Sequence, residues 1–378
     1  MKRLVLGVTS PKSTPLIQGQ ARYFQRLGYE VFVLGPKGGF LEEYCANEGC
    51  THVPIKIARE ISPSGDLFAL WQLLAAIREI RPHVINVGTP KMGLLGSIAG
   101  CLLRVQRRVY TFRGLRYEHE RGFVRWLLQA AERVACACAH SVICISPSLV
   151  DRVVKDGIAP QQKLHLIGHG SSNGVDLHRF KREAVDEARR RCLVEDMGLV
   201  GRFVIGFVGR LADRKGIREL YEAFTSIRKG ESRMALVVLG VVEETQLLDK
   251  ELVEKMERDP DVHLEGFQHD VPLYMSTFDI FVLPAWWEGF GTVLIQAAAM
   301  GIPVITTDVT GCRDAVSPEF NGLMVPPKDS SLLADAISAY LKDPDLRKEH
   351  GVNGRTWAGK FQSEMIWDGI QAIYSRRD

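Results

Sequence analysis

Apolar and polar positions follow a regular order along the chain: short apolar runs alternate with longer segments of helical spacing. Residues 4–9 form an apolar run, residues 18–27 have the spacing of an amphipathic helix, and residues 30–34 form a second apolar run. This order is typical of βαβ units, whose strands are parallel and whose crossovers are right-handed. The opening lacks G-x-G-x-x-G, so the sequence does not predict a dinucleotide fingerprint.

The alternation continues to about residue 167 and restarts at residue 203. Helices are predicted over residues 64–80, 93–103, 121–139 and 148–156, and then over 217–228, 245–257, 331–341, 344–360 and 363–375. The intervening G-H-G-S-S-N-G-V-D (168–176) is rich in Gly and Ser, and we interpret it as the domain junction. Because 378 residues exceed the size of one hydrophobic core, we expect two doubly wound α/β domains. Their strand carboxyl ends would meet at a ligand-binding cleft.

The stretch P-A-W-W-E-G-F-G-T-V-L-I-Q-A-A-A-M-G-I-P (284–303) joins a predicted strand (278–283) to a predicted helix (293–300) through a glycine-bearing loop. Glu288 lies in that loop, near the carboxyl end of the strand. Open α/β sheets bind ligands at this position, next to the N–H groups of the following helix. An ordinary strand-turn-helix unit with an acidic residue fits the spacing equally well.

Three further loops follow predicted strands and carry polar or cationic residues. G-R-L-A-D-R-K-G (209–216) places Arg210 and Lys215 beside a helix N-terminus, which suits a diphosphate, although a surface loop fits too. In the first half, Ser13 and Thr14 follow the first strand and Lys91 follows a later one. Lys91 is a candidate phosphate contact, and the Ser/Thr loop equally fits an ordinary βα connection.

Composition and charge narrow the class of protein. A hydrophobic content of 46% with 25% charged residues fits a globular protein, and no run reaches the roughly 18 to 20 apolar residues of a membrane span. The eight cysteines are scattered without a C-x-x-C pair, which favours a reducing cytoplasm. The histidines lack metal-ligand spacing, and P-loop, H-E-x-x-H and G-x-S-x-G motifs are absent. The sequence therefore predicts neither a metal site nor a hydrolase triad.

The net charge of +3 conceals an asymmetry, because residues 1–175 carry 22 Lys+Arg against 12 Asp+Glu (+10) and the remainder carries −7. Much of the excess lies in residues 104–133, where arginines alternate with large apolar residues. Such a segment suits an anionic membrane surface or a pyrophosphate-bearing partner, and a solvated basic face is the alternative. No nucleic-acid motif accompanies the charge, so we do not expect a nucleic-acid partner.

Several motifs together resemble the family 4 retaining glycosyltransferases. E-G-F-G-T-V-L-I-Q-A-A-A-M-G-I-P-V resembles their E-x7-E region, and G-R-L-A-D-R-K-G resembles their diphosphate-binding loop. The resemblance continues in G-F-Q-H-D-V-P-L-Y-M-S-T-F-D-I-F-V-L-P, T-P-K-M-G-L-L-G, I-S-P-S-L and S-N-G-V-D, and so covers essentially the whole chain. Within the family, the chain is most similar to bacterial enzymes of capsule, O-antigen (lipopolysaccharide) and lipid-linked oligosaccharide assembly.

The resemblance implies a GT-B fold of two Rossmann-like domains. Residues 1–175 with 361–378 would bind the acceptor, and residues 176–360 would bind the donor nucleotide sugar. Arg210 and Lys215 would hold the diphosphate, and Glu288 would bind donor sugar hydroxyls. The remaining assignments are donor binding by Gly209, Gly289, Phe290, Gly291, Thr292 and Gln296, and acceptor or cleft contacts by Ser13, Thr14, Lys91 and Arg113. No metal or other cofactor is expected, because the two cations would meet the charge of the leaving diphosphate.

Two positions depart from the family pattern. The second Glu of E-x7-E is Gln296, an uncharged side chain that both accepts and donates hydrogen bonds. We therefore expect altered ribose affinity rather than lost activity. Arg113 stands where many relatives have a His, and because a guanidinium is not a base at neutral pH, it is expected to bind a phosphate or an acceptor anion.

The leading functional hypothesis is transfer of a sugar, such as an N-acetylated hexosamine, from a UDP donor to a polyprenyl-diphosphate-linked acceptor. The enzyme would work at the inner face of the cell membrane, docked by residues 104–133. One alternative is a GT-B nucleotide-sugar epimerase, which needs no acceptor. Another is a catalytically weak donor-binding subunit of a polysaccharide assembly complex, motivated by Gln296 and Arg113.

Overall fold

Runs of β-branched and aliphatic residues form the central strands of two sheets. The computed structural model describes residues 1–58, 62–231, 233–242 and 249–376. The chain folds as two compact units, Met1–Gly174 with Glu364–Asp378, and Val175–Ser363. The divisions predicted from the sequence fall after residues 175 and 360, and the assignment of acceptor and donor to the units stays a prediction.

The first unit contains a seven-stranded sheet with every strand pair parallel. Its strands are β1 (Lys2–Gly7), β2 (Tyr29–Gly35), β3 (Thr51–Pro54), β4 (Val84–Gly88), β5 (Arg107–Phe112), β6 (Ser141–Cys144) and β7 (Leu164–Leu166). The order is β3-β2-β1-β4-β5-β6-β7. It reverses direction between β1 and β4, where Leu6 stands opposite Val33 on one side and Asn86 on the other. This is the switch point of a doubly wound sheet.

The second unit repeats this winding in a six-stranded parallel sheet. Its strands are β8 (Phe203–Val208), β9 (Met234–Leu239), β10 (Val262–Leu264), β11 (Ile280–Leu283), β12 (Val304–Thr307) and β13 (Gly322–Val325). The order is β10-β9-β8-β11-β12-β13, so the switch point lies between β8 and β11. Every residue of β9, β11 and β12 is buried, as expected for strands covered on both faces.

Helices connect the strands and cover the sheets. They are α1 (Gln20–Arg26), α2 (Gly39–Glu48), α3 (Pro63–Ile80), α4 (Pro90–Leu102), α5 (Gly122–Cys138), α6 (Pro147–Lys155), α7 (Glu187–Asp196), α8 (Ile217–Arg228), α9 (Lys250–Arg258), α10 (Val271–Met275), α11 (Thr292–Ala299), α12 (Cys312–Ala315), α13 (Ser330–Lys342), α14 (Pro344–Ala358) and α15 (Ser363–Tyr374). Short 3₁₀ turns cover Pro11–Leu16, Arg116–His119, Gln161–Lys163, Arg182–Ala184, Asp213–Lys215 and Gly359–Phe361. In the described part of the chain, none of the helices combines the length and the apolarity that crossing a bilayer requires.

The last helix, α15, returns to the first unit and completes its core. Ile366, Ile370 and Ile373 are at most 4% exposed and pack among the side chains of β1, β2 and α1. The rings of Tyr374 and Phe24 lie 5.2 Å apart between centroids. Because this surface is apolar on both sides, the C-terminal segment stabilises the first unit although the second unit lies between them in sequence.

Most predicted elements are present with ends shifted by a few residues, and the parallel α/β class is confirmed. Four elements, α2, β3, α7 and α12, were not predicted from the sequence. No residue of α7 is buried, so its sequence carries no apolar periodicity. A helix was predicted over residues 245–257. Residues 245–248 lie outside the described residues, and the structure has α9 over Lys250–Arg258.

Candidate active site

The switch point of the second unit brings together the two loops that carry the predicted catalytic residues. β8 and β11 are neighbours in the sheet, with Ile280 opposite Ile205. The loop after β8 holds Arg210 and Lys215, and the loop after β11 holds Glu288. Since both strands end at the same edge of the sheet, the two loops are adjacent although they are far apart in sequence.

Backbone contacts hold the first loop against the second. Gly216 has a φ of +70° and immediately precedes α8. A Cβ atom at Gly216 would overlap the carbonyl oxygen of Pro284, so only glycine permits this approach. The backbone N–H of Trp286 donates to the carbonyl of Arg214 at 2.8 Å. The separation between the loops is therefore set by main-chain packing.

Lys215 and Glu288 form an ion pair across these loops, from Nζ to Oε1. The side chains are only 10% and 17% exposed, so the pair is largely removed from water. Arg210 lies on the same loop, with an exposed side chain and a position two residues beyond the end of β8. The structure thus places the three predicted catalytic residues on the two loops of one switch point and joins two of them directly.

The loop from Glu288 to Gly291 is backed by the turn that follows β12. The Glu288 N–H donates to the Thr310 carbonyl at 3.3 Å, and a Cβ atom at Gly311 would lie 2.7 Å from the backbone oxygens of Glu288 and Gly289. Phe290, 7% exposed, packs on Phe361 with ring centroids 5.6 Å apart. The backbone is therefore fixed as it enters α11.

The N-terminal end of α11 directly follows this loop. Thr292 is its first residue, and Gln296 is half-buried in the second turn. Helix N-termini offer unpaired N–H groups and a positive dipole end, which favour an anion. Gly209, at the end of β8, donates its N–H to the Leu239 carbonyl at 2.9 Å. The predicted donor-binding residues consequently surround the same sheet edge.

Two tryptophans that were not predicted as site residues, Trp286 and Trp287, lie in this loop. The Trp286 indole N–H donates to Glu219 Oε1 at 2.9 Å, and Lys328 Nζ lies 4.1 Å from a ring centroid of Trp286. The guanidinium of Arg214 lies 4.9 Å from a ring centroid of Trp287. Adjacent tryptophans after a strand were the available signal, but their partners lie elsewhere in the sequence.

The switch point of the first unit carries a second polar cluster. Thr9 Oγ1 and Thr89 Oγ1 are 2.6 Å apart, and the Met92 N–H donates to Thr9 Oγ1 at 3.0 Å. Lys91 Nζ forms an ion pair with Asp66 at 2.7 Å, with side chains 10% and 25% exposed. Lys91 therefore already has a carboxylate partner.

Ser13 and Thr14 lie in the 3₁₀ turn after β1, and both are half-buried. The Ser13 N–H donates to the Ser10 carbonyl at 2.9 Å, and the Thr14 carbonyl accepts from the Ile17 N–H at 3.0 Å. These bonds use the backbone of the turn and leave the roles of the two hydroxyl groups open as predictions.

Arg113 follows β5 at the carboxyl edge of the first sheet. Its Nε donates to Ser172 Oγ at 2.7 Å. Burial lowers the pKa of the guanidinium to about 10, so the group still carries its charge at neutral pH. Among the residues that the structure describes, no three His, Cys, Asp or Glu side chains are grouped to hold a metal ion. Metal independence itself stays a prediction.

Solved structures with the same architecture define the class of fold. Anabaena HepE in complex with UDP-glucose superposes with a TM-score of 0.83 at 21% identity, over 98% of this chain and 99% of that chain. WaaG, a glycosyltransferase involved in lipopolysaccharide biosynthesis, gives a TM-score of 0.77 at 16% identity, over 99% and 100%. The protein thus has the GT-B fold, as the resemblance implied.

Sequence comparisons then give the family. Residues 14–170 match the glycosyl transferase 4-like domain, and residues 197–357 match glycosyl transferases group 1. The capsular polysaccharide biosynthesis glycosyltransferase CapM of Staphylococcus aureus is 34% identical, over 97% of this chain and 95% of the relative. A Campylobacter jejuni N,N'-diacetylbacillosaminyl-diphospho-undecaprenol alpha-1,3-N-acetylgalactosaminyltransferase is 23% identical, over 92% and 91%. The chain belongs to glycosyltransferase family 4.

Proposed function

We propose that this protein is a retaining, metal-independent glycosyltransferase of capsule or other cell-surface polysaccharide assembly. It transfers a sugar, such as an N-acetylhexosamine, from a UDP-sugar to a polyprenyl-diphosphate-linked acceptor. The observation that carries this proposal is the ion pair between Lys215 and Glu288 at the switch point of the second unit. The pair joins the cation of the loop after β8 to the carboxylate of the loop after β11.

In this proposal, Lys215 and Arg210 bind the donor diphosphate and Glu288 binds sugar hydroxyls. The acceptor hydroxyl oxygen bonds to the anomeric carbon as the bond from that carbon to the diphosphate oxygen breaks, and the hydroxyl proton passes to the leaving diphosphate. Negative charge grows on the leaving group as its bond breaks. Cations already held in place stabilise that charge without reorganisation, which is the largest contribution in many enzymes. The N-terminal end of α11 adds a positive dipole at the same edge. These groups suffice for a leaving diphosphate, so no metal or other cofactor is required.

Backbone and side-chain groups around the pair complete the donor site. Gly289, Phe290 and Gly291 offer main-chain groups to phosphate and sugar, and Gly209 and Thr292 lie beside them at the same sheet edge. Gln296, one turn further along α11, binds the ribose. An amide can bond a hydroxyl in either direction, so loss of the family carboxylate changes donor affinity more than turnover.

The first unit is proposed to bind the acceptor at the carboxyl edge of its sheet. Ser13 and Thr14 lie in the 3₁₀ turn after β1, Lys91 lies in the first turn of α4 after β4, and Arg113 directly follows β5. Two relatives carry names that specify diphospho-undecaprenol-linked acceptors, the Campylobacter jejuni enzyme and an Escherichia coli galactosyltransferase 26% identical over 88% of this chain and 87% of the relative. An acceptor of that chemistry keeps its lipid in a membrane.

A surface of the first unit, formed by α3, α4 and α5, supports docking to that membrane. α3 packs beside α4, and α4 packs beside α5. Large apolar side chains on this surface are exposed: Leu67, Phe68, Trp71, Leu102, Phe123, Trp126 and Leu127. Trp71 is 63% exposed and Phe123 is 71% exposed. Aromatic residues that protrude from a helical surface suit the interfacial region of a bilayer.

Charge on the same surface favours anionic lipid. Arg104 and Arg121 are exposed, while the only acid within α5, Glu132, is 7% exposed and lies on its inner side. A basic residue near an anionic leaflet contributes about 1 kcal/mol. The protein is therefore proposed to act as a peripheral enzyme on the cytoplasmic face of the membrane.

Vesicle sedimentation tests this docking. With vesicles containing anionic lipid, Arg104→Glu/Arg121→Glu should reduce the bound fraction at least about 10-fold, whereas the matched reversal Lys255→Glu/Arg258→Glu in α9 should leave it close to wild type. Equal binding of both variants would exclude this surface as the docking site. A neutral vesicle series separates the contribution of the exposed aromatic residues from that of charge.

Transfer itself is tested with a set of nucleotide sugars and a short-chain polyprenyl-diphosphate acceptor. A donor present at a concentration of 100 times its dissociation constant stabilises the folded protein by about 2.7 kcal/mol. Thermal shifts therefore identify the donor before transfer is assayed. Formation of a glycosylated lipid with retained anomeric configuration and unchanged rate after chelation supports the proposal. Donor binding without turnover on any lipid acceptor supports the donor-binding subunit instead, and epimerised donor without transfer supports an epimerase.

A further inference from the structure

Arg113 lies in a site built from four strand ends of the first unit. It follows β5, and a Cβ atom at Gly88, the last residue of β4, would overlap its Nη1 atom. Its Nε donates to Ser172, which is 6% exposed and follows β7. The N–H of the preceding residue, Ser171, donates at 2.7 Å to the carbonyl of Ile145, which directly follows β6. The guanidinium is thus positioned by glycine on one side and by a buried hydroxyl on the other.

The backbone that holds Ser172 is strained. Ser171 has a φ of +97°, a left-handed conformation that a residue with a Cβ adopts only when its surroundings require it. Gly170 has a φ of +109°, and a Cβ atom there would lie 3.2 Å from the Cα of Ser146. Below the site, Thr111 Oγ1 donates to Asn86 at 2.8 Å and Asn86 donates to the Tyr374 hydroxyl at 2.7 Å. Strained backbone of this kind is concentrated at active sites and ligand-binding sites, where the surrounding structure holds a side chain in position.

Arg113 lacks a counter-ion in the part of the chain that the structure describes. No carboxylate in residues 1–58, 62–231, 233–242 or 249–376 lies within ion-pair distance of its guanidinium. Lys91 at the same sheet edge has Asp66, and Lys215 in the other unit has Glu288. A half-buried cation without a counter-ion is unfavourable, and an anion supplied by a ligand compensates it.

Hydrogen-bond geometry indicates what kind of anion. Ser172 Oγ accepts from Nε, so its own O–H remains a hydrogen-bond donor, and the guanidinium keeps its Nη donors for a second partner. A hydroxyl and a planar cation that donate side by side match the several acceptor oxygens of a phosphate.

We propose that Arg113 and Ser172 bind a phosphate of the diphosphate bridge in the sugar acceptor, and so select diphosphate-linked acceptors over neutral ones. This assignment rests on the proposed glycosyltransferase function and deepens it. Arg113 is a specificity-determining residue in this role, since it contacts the acceptor at a distance from the sugar hydroxyl that reacts. A carboxylate on a sugar would be an alternative source of the same negative charge, and the experiment separates the two.

The kinetic test compares one acceptor sugar on a short polyprenyl diphosphate with the same sugar on a neutral alkyl chain. The ratio of kcat/KM for the diphosphate acceptor to kcat/KM for the neutral acceptor should fall about 10- to 100-fold in Arg113→Gln. Most of this fall should come from a higher KM for the diphosphate acceptor. Arg113→Lys should recover part of the ratio, and Ser172→Ala should lower it less. The matched control is Lys2→Gln, which removes one exposed positive charge at the opposite edge of the same sheet.

An unchanged ratio in Arg113→Gln, or an equal fall with both acceptors, would overturn the proposal. A preference of wild type for an acceptor whose sugar carries a carboxylate, if Arg113→Gln loses that preference, would also overturn the proposal. Arg113 would then bind the sugar carboxylate instead of the acceptor phosphate. Binding of pyrophosphate by calorimetry, with UDP saturating the donor site, needs no turnover. Wild type should bind and Arg113→Gln should bind at least about 10-fold more weakly. If wild type transfers no sugar but shows this difference, the proposed function fails and the anion site stands.

Discussion

Replacing Lys215 by methionine separates the structural role of the ion pair from its catalytic role. Methionine keeps most of the aliphatic length of lysine and removes the charge that faces Glu288. Breaking a buried ion pair costs about 3–5 kcal/mol, because the remaining charge is left unpaired. The side chains here retain 10% and 17% exposure, so we expect a loss near the lower limit, about 3 kcal/mol in the free energy of unfolding.

Turnover should also fall in Lys215→Met. The lost transition-state stabilisation is similar in size to the lost unfolding free energy but has a different cause. Removing one preorganised donor from a developing anion lowers kcat by about 10²- to 10³-fold, or about 2.7–4 kcal/mol. The double variant Lys215→Met/Glu288→Met distinguishes the two losses. It replaces the pair by apolar side chains, which is often neutral for stability. We therefore expect it to recover most of the unfolding free energy and none of the turnover.

Denaturant unfolding measures the first quantity, and the initial rate of UDP release in the presence of acceptor measures the second. The control is Lys255→Met, since Lys255 Nζ pairs with Glu251 at 2.8 Å while the side chains are 61% and 72% exposed. An exposed pair contributes less than about 1 kcal/mol, and turnover should stay within about twofold. A Lys215→Met enzyme with turnover within about threefold of wild type, well inside the expected effect, would refute the catalytic assignment.

Three further predictions follow from single positions. Gly198→Ala should destabilise the second unit by about 1 kcal/mol, because its φ is positive. Gly216→Ala should cost more, because Gly216 also has a positive φ and in addition lies against the Pro284 carbonyl. Equal melting temperatures of the two variants would contradict this. Burial raises the pKa of Glu132 from 4.5 to about 7. Between these pH values the folded protein keeps a proton on Glu132 that the unfolded chain releases. The free energy of unfolding should therefore fall by up to about 3 kcal/mol as the pH rises through this range. Glu132→Gln should flatten that fall in unfolding experiments at pH 5 and pH 8. Gln296→Glu should change the dissociation constant of the nucleotide sugar by less than about 10-fold with kcat maintained, and activity that appears only in the variant would show this view of Gln296 to be wrong.

Much of the architecture follows from local patterns. Buried strands such as β9 and β11 are uninterrupted apolar runs, and the helices between them carry apolar faces, so their type and order are readable from sequence. The GT-B fold and the family followed from loop motifs spread over the whole chain and are confirmed. α7 was missed because a helix without a buried face has no periodic signal.

The sequence by itself determined the alternation of strands and helices, the two domains expected from length, and the residue types after each strand. It also indicated Glu288, Arg210 and Lys215 as one group. Only the tertiary structure decided that β11 pairs with β8, which places Glu288 against Lys215, and that Lys91 has a carboxylate partner whereas Arg113 has none within the described residues. The reason is physical: strand order and ion pairing depend on packing between distant segments, and local periodicity carries no information about which distant charge is near.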